Sequence, residues 1–256
     1  MRFLTWLLSE NRPHPSERRC GHGPSRRRAT VRPRLEVLEG RQVLSTLTVT
    51  SSLDGGTPGD GTLRGEIEAA QPGDTIVFDR SLQGQFFRLS AQQLEINENL
   101  TIQGPGASLL AILASGTRLF QVDAGANVTL SGLTIKGGTG DAYPQDGFNT
   151  PPPYDGYGGG ILNLGMLTLS GCNVTQNGAY EGGGICNFGT MTLSGCTVTG
   201  NSAQAGGGIF NDTQGHLTIL SSVVKNNTAS DGPDICNLGS ITISKDSSIG
   251  SKVSRR

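Results

Sequence analysis

Asp212, Asp231 and Asp234 come closest to a catalytic set in this 256-residue chain. Glycoside hydrolysis uses two carboxyl groups ~5–9.5 Å apart, one as the acid and the other as base or nucleophile. Asp212 and Asp234 could meet that distance if the chain folds back on itself once between them. Asp234 also stands in a turn-like context, Gly232-Pro233-Asp234, where a backbone-bonding role competes. The three histidines are His14, His22 and His216, two of them in the first 22 residues. A histidine-dependent nucleophile triad is therefore not expected.

A second set could bind rather than react. The stretch 139–157, TGDAYPQDGFNTPPPYDGY, holds Tyr143, Tyr154, Tyr157 and Phe148 together with Asp141, Asp146 and Asp155. Aromatic faces stack on sugar rings, and carboxylates accept their hydroxyl hydrogens. Three Asp in a Gly-rich loop could also hold Ca²⁺ through oxygen ligands, although EF-hand spacing is absent. The simplest reading is an exposed Pro/Gly-rich decoration. The five cysteines, Cys20, Cys172, Cys186, Cys196 and Cys236, include no CxxC and no Cys/His group at zinc spacing. No metal site is expected from them.

These residues sit in a repeat. The segments GGGILNLGMLTLSGCNVTQN, GGGICNFGTMTLSGCTVTGN, GGGIFNDTQGHLTILSSVVKNN and GPDICNLGSITIS follow one pattern from Gly158 to Ser244. Their asparagines, Asn163, Asn187, Asn211 and Asn237, are spaced 24, 24 and 26 apart. That period, with short strand-like runs and Gly turns, predicts a solenoid in which each coil packs on its neighbours. In-register Asn side chains hydrogen-bond along the stack, so this column, and a second at Asn177, Asn201 and Asn227, is read as structural. The Gly triplets are read as turns, since no Lys-Ser/Thr follows as a phosphate loop requires.

Coils can be counted from apolar-Thr-apolar triplets at Leu100–Ile102, Val128–Leu130, Leu167–Leu169, Met191–Leu193, Leu217–Ile219 and Ile241–Ile243. Alternation turns the outer two inward and the Thr outward. A second inward pair follows (Leu133/Ile135, Cys172/Val174, Cys196/Val198), and a third strand carries Ile161, Ile185, Ile209 and Ile235. Cys172 and Cys196 share one position, one coil apart. Stacked strands ~4.8 Å apart permit a disulfide there, but two small apolar side chains in a stack is the favoured reading. Upstream, Ser45–Ser52 and Asp74–Asp79 read as strands. Thr62–Gln71 reads as a helix capped by Thr62, with Leu63, Ile67 and Ala70 on one stripe.

Charge is uneven. Residues 1–41 hold ten Arg and four Glu, net +6; the rest holds ten Lys/Arg and seventeen Asp/Glu, net −7. The basic leader lacks interleaved aromatics, so no nucleic-acid partner is expected. No apolar run approaches the ~18 residues of a membrane span, so no transmembrane segment is expected. The expected layout is a basic export segment over 1–41, a solenoid over 42–250 and a basic tail over 251–256. Within the solenoid, 61–71 forms a capping helix and 139–157 a loop insertion.

The run Arg34–Arg41, RLEVLEGR, resembles the LExLExR leader of exported surface proteins of planctomycete-type bacteria. GTLRGEIEAAQPGDTIVFD resembles the N-terminal cap of bacterial right-handed parallel β-helix proteins. The GGGI-x-N…LTLSGC-x-V repeats resemble those of polymorphic outer-membrane surface proteins. These resemblances imply an all-β, pectin-lyase-like right-handed parallel β-helix of three strands per coil and about seven to eight coils. They also imply an extracellular or cell-surface setting. They carry over no catalytic residue, and fold alone does not assign activity. The expected function is a non-catalytic secreted or cell-surface protein contacting polysaccharide or another envelope component. The alternative is a carbohydrate-active enzyme, a polysaccharide lyase or glycoside hydrolase.

Overall fold

The structure, a computed structural model, describes residues 44–90, 92–114, 116–140 and 155–254. These form a right-handed parallel β-helix of about seven turns built from three all-parallel sheets. The first sheet has eight strands, from Thr46–Val49 through Asn127–Ser131 to Ser240–Ile243; the second runs from Phe86–Leu89 to Ser248–Ile249 and the third from Leu94–Ile96 to Lys252–Ser254, with seven strands each. Seven strand-to-strand steps of ~4.8 Å make the first sheet roughly 34 Å long.

The triplets place the first sheet. Leu167, Met191 and Leu217 are in register, as are Thr168, Thr192 and Thr218. The flanking apolar residues are buried and the threonines half-exposed. The threonine column reaches further than the triplets indicate. Thr46 pairs with Thr75 and Thr75 with Thr101, so eight in-register threonines span the whole sheet. The second and third strands fall as the repeat requires: Val174, Val198 and Val224 line the core from the second sheet, and Ile161, Ile185, Ile209 and Ile235 from the third. The last strand, Lys252–Ser254, pairs with Ile235–Asn237, so the solenoid continues into residues read from sequence as a basic tail.

Glycine makes the tight corner ahead of the third strand feasible. The first residue of each triplet, Gly158, Gly182, Gly206 and Gly232, has φ of +61°, +67°, +62° and +56°. A Cβ there would also collide with the carbonyl of the isoleucine three residues on. Two asparagine ladders run along the rod. Asn163 Nδ2 donates to Asn187 Oδ1, Asn187 to Asn211 and Asn211 to Asn237, each at 2.7 Å. Asn177, Asn201 and Asn227 form the second ladder, at 3.0 and 2.9 Å. Each amide also donates to a backbone carbonyl, of its own coil (Asn187 to Gly189 O) or of the preceding one (Asn201 to Val174 O, Asn227 to Val198 O), so these buried polar groups are satisfied.

The helix forms as Leu63–Ala69, with Thr62 Oγ1 accepting from Gly65 N at 3.0 Å. Buried Glu66 accepts from Gly61 N, closing the first turn. Leu63, Ile67 and Ala70 pack on the core and cover the first coil, whose apolar end would otherwise face water. Cys172 and Cys196 are unbonded, fully buried thiols in the core. Ser222 occupies the next position of their column and is equally buried. Hydrogen bonding to Cys196, then burial, pushes the Cys172 thiol up, and the same hydrogen bond draws Cys196 down.

Candidate functional site

The turn between the second and third sheets is a two-residue corner in three successive coils. Gly178 and Glu181 flank Ala179-Tyr180, Ser202 and Ala205 flank Ala203-Gln204, and Thr228 and Asp231 flank Ala229-Ser230. The flanking residues bridge from coil to coil: Thr139 to Gly178, Tyr157 to Glu181, Glu181 to Ala205 and Ala205 to Asp231. The insertion therefore leaves and rejoins the rod at this corner. Where the other coils use two residues, this one has seventeen, 140–156. The backbone repeats as well. Tyr180 N and Glu181 N donate to Gly156 O, Gln204 N and Ala205 N to Tyr180 O, and Ser230 N and Asp231 N to Gln204 O. Each coil thus fixes the next one's corner.

A cavity of about 230 Å³ opens along this column, lined by Tyr180, Glu181, Gln204, Ala205, Ser230 and Asp231. Tyr180 is 48% exposed, so much of its side chain is open to solvent. Burial, then the charge of Asp212, pushes the Glu181 carboxyl above the ordinary glutamate range. Beside the cavity lies a second apolar cluster, on the outer side of the third sheet. Leu162, Cys186, Phe210 and Cys236 stack in register, with Tyr157, Leu164, Phe188, Ala205 and Leu238 packed on them. The Tyr157 and Phe188 rings meet edge to face at 5.6 Å and 71°. Burial pushes the Cys186 thiol well up, which makes it inert.

The candidates from sequence separate here. Asp141, Tyr143, Asp146, Phe148 and Tyr154 lie outside the described residues. Asp155 is half-buried in the turn that returns the insertion to the rod. Tyr157 packs into the apolar cluster. Asp231 lines the cavity. Asp212 binds Thr213 Oγ1 at 3.0 Å and acts on Glu181 through its charge. Asp234 does neither. Its Oδ1 accepts from Asn227 N and Nδ2, both at 2.9 Å, and its Oδ2 from Ser251 N at 2.7 Å. It ends the second asparagine ladder and ties down the approach to the last strand, bonds that reach beyond its own turn. Among the described residues, no group of three or more His, Cys, Asp or Glu is placed to hold a metal ion.

Sequence reasoning missed two contributors. Nothing in its own repeat singles out Glu181; only the coil register puts it in one corner column with Asp231, two coils on. Arg118 is 3% exposed; its Nε donates to Tyr157 O and Gly158 O at 2.9 and 3.1 Å, and its Nη1 to Gln93 Oε1 and Gln121 Oε1. It clamps the point where the insertion rejoins the rod. A lone Arg between Thr117 and Leu119 gave a readable hint, since a cation in an apolar strand approach requires buried acceptors. Away from this corner, the nearby Asp123 carboxyl, then burial, pushes Glu95 up. This pair lies in the irregular early coils, where the repeat offers no guide. No family model and no curated protein matches the chain.

Proposed function

We propose that this chain is an exported, non-catalytic β-helix module that binds glycan at the corner column from Tyr157 to Asp231. One observation carries the reading: a half-exposed tyrosine, Tyr180, borders a 230 Å³ cavity whose other walls are the Ala205 methyl and carboxyl, amide and hydroxyl groups. Small apolar faces with a few oriented polar groups suit a sugar ring. The insertion, with its further Tyr and Asp residues, departs from the same corner. The resemblance of Arg34–Arg41 to an export leader, and of the repeats to outer-membrane surface proteins, supports a cell-surface location. Ca²⁺ enters this reading only through Asp141, Asp146 and Asp155, as oxygen ligands.

The test is to incubate the full-length protein with neutral and acidic polysaccharides, with and without Ca²⁺, and to follow both by size-exclusion chromatography. Co-elution with intact polymer, reduced at least fivefold in affinity by Tyr180→Ala, supports the reading. Absence of binding across the panel sinks it. Recovery of tagged protein from the cytosol of the native cell would sink the surface assignment separately.

One observation favours an enzyme. Burial, then the charge of Asp212, raises the Glu181 carboxyl, and a raised carboxyl is what a glycosidase uses as its general acid. Shortened polymer in the same experiment would establish that reading in place of the first.

A further inference from the structure

We infer that the outer face of the second sheet docks on an anionic lipid surface. The inference uses none of the corner-cavity residues and does not rest on the glycan reading. Alternation in the strands Phe86–Leu89, Ala111–Ala114 and Thr134–Lys136 buries one set of side chains and turns the other outward. Register stacks the outward set into two columns. One begins at Phe86 and passes through Ala111 and Thr134. The other runs Arg88, Leu113, Lys136, Thr175 and Thr199. Lys225 continues it, since Val224 pairs with Val198 and the Lys225 N–H donates to Val198 O. Five strand steps of ~4.8 Å put Arg88 and Lys225 roughly 24 Å apart.

Three cations thus stand in one line. Among the described residues none of them has an ion pair or a side-chain hydrogen bond, and neither column holds a carboxylate. Residues 42–256 carry a net −7, so this face reverses the sign of its surroundings. A second observation concerns apolar surface. Phe86 is 62% exposed and Leu109 40%, and both border one hollow of about 90 Å³. Arg88 follows Phe86 by two residues on the same face, and half-exposed Leu113 lies beside Arg88 in the next coil. Single exposed apolar residues are ordinary, but a ring and two leucines set among unpaired cations mark a contact surface. An anionic leaflet accommodates both sets: its phosphates pair with the cations, while the ring and the leucines enter the acyl boundary. A soluble polyanion would engage the cations and stack on the ring, yet leave Leu109 and Leu113 in water. Because the cations share one column along the rod, a coil stack lying on its side presents all three to a plane.

The experiment floats full-length protein, at pH 7 and about 0.1 M salt, with vesicles of phosphatidylcholine alone or mixed three to one with phosphatidylglycerol. The expected result is at least tenfold more protein on the mixed vesicles. Arg88→Gln/Lys136→Gln/Lys225→Gln should cut that binding at least tenfold and Phe86→Ser at least threefold, each with its urea midpoint checked against the parent. Lys136→Gln alone should cut it at least twofold, whereas Lys252→Gln, which removes one cation from the third sheet, should leave it unchanged. Absence of binding, or equal binding of both vesicle types, overturns the inference and leaves the glycan reading standing. Undiminished binding in the triple variant overturns it too and assigns the attraction to the basic leader. Equal losses from Lys136→Gln and Lys252→Gln overturn it as an effect of net charge. Tighter binding of polygalacturonate or duplex DNA at equal charge, insensitive to Phe86→Ser, overturns it in favour of a soluble polyanion.

Discussion

Asn187 stands between two copies of itself: its Oδ1 accepts from Asn163 Nδ2 and its Nδ2 donates to Asn211 Oδ1, both at 2.7 Å, in a position with no solvent exposure. Its Nδ2 also reaches Gly189 O at 3.1 Å, locking the turn of its own coil. One side chain therefore couples three coils and one corner.

Replacing it should cost more than replacing a ladder end. Asn187→Ala leaves a buried donor and a buried acceptor short of a partner, each worth about 1–3 kcal/mol. Asn237 ends the column and has one amide neighbour, so Asn237→Ala should cost about half as much. Urea unfolding of both variants measures this. Equal midpoints would show that the ladder is not cooperative and that local turn bonds hold each coil alone.

Glu181 should give the protein an unusual pH dependence. Its folded carboxyl holds its proton to higher pH than the unfolded one, so between the two values the folded state binds more protons. Stability from this group is then present below the unfolded value and lost as pH rises through the raised one. Glu181→Gln should remove that component and raise the melting temperature relative to the parent above the raised value. Asp74, lowered by backbone bonds from Gln71 and Ser45, works in the opposite direction and loses its contribution as pH falls. The difference between parent and Glu181→Gln isolates the first effect. A difference that does not vary with pH would show that Glu181 titrates normally.

Cys196→Ser should be tolerated. Ser222 already fills the same position one coil later, 1% exposed, with its hydroxyl donating to Leu220 O at 2.7 Å. Cys196 Sγ reaches the equivalent carbonyl, Ser194 O, at 3.4 Å, so a hydroxyl inherits an acceptor. The expected loss is under about 1 kcal/mol, against about 2–5 kcal/mol for truncating a neighbouring core residue in Ile185→Ala. Thermal unfolding of the two variants decides it.

Gln176 sits at φ +54° in a corner where the preceding and following coils have Gly137 at +74° and Gly200 at +68°. The left-handed backbone costs a non-Gly residue about 1–2 kcal/mol, part of which Gly returns as unfolded-state entropy. Gln176→Gly should therefore stabilise the protein by up to about 1 kcal/mol, read as a higher urea midpoint at unchanged slope. A lower midpoint would mean that the glutamine side chain contributes more than its backbone costs.

The repeats were legible because each inward position obeys one rule, alternation within a three-residue strand. Leu167, Leu169, Cys172, Val174 and Ile185 could be placed inside from pattern alone. The capping helix was legible through Thr62 and the spacing of Leu63, Ile67 and Ala70. The second apolar cluster was not. Leu162, Cys186, Phe210 and Cys236 sit where alternation predicts an outward side chain, and they are buried because further apolar residues from the adjoining turns fold over them. The early coils were harder still. Phe86–Leu89, Leu94–Ile96, Ala111–Ala114 and Phe120–Val122 pair in register, yet their connecting turns differ in length and share no motif. The site was the least legible part, because Glu181, Ala205 and Asp231 come into one column only through the stacking of coils.

The two ends of the rod differ. Leu63, Ile67 and Ala70 roof the first coil, whereas Ile241 and Ile243 in the last strand of the first sheet are only half-buried where Leu217 and Ile219 one coil earlier are 2% and 0% exposed. Pulled from both termini, the molecule should behave as a reel with one loose end. The C-terminal coil should peel first at the lowest force, and the helix-covered coil should yield last. Released coils of 24–29 residues would each pay out roughly 80–100 Å of extended chain, and the 39-residue coil that carries the insertion roughly 130 Å, so force spectroscopy would record a ladder of steps with one long rung rather than one rupture.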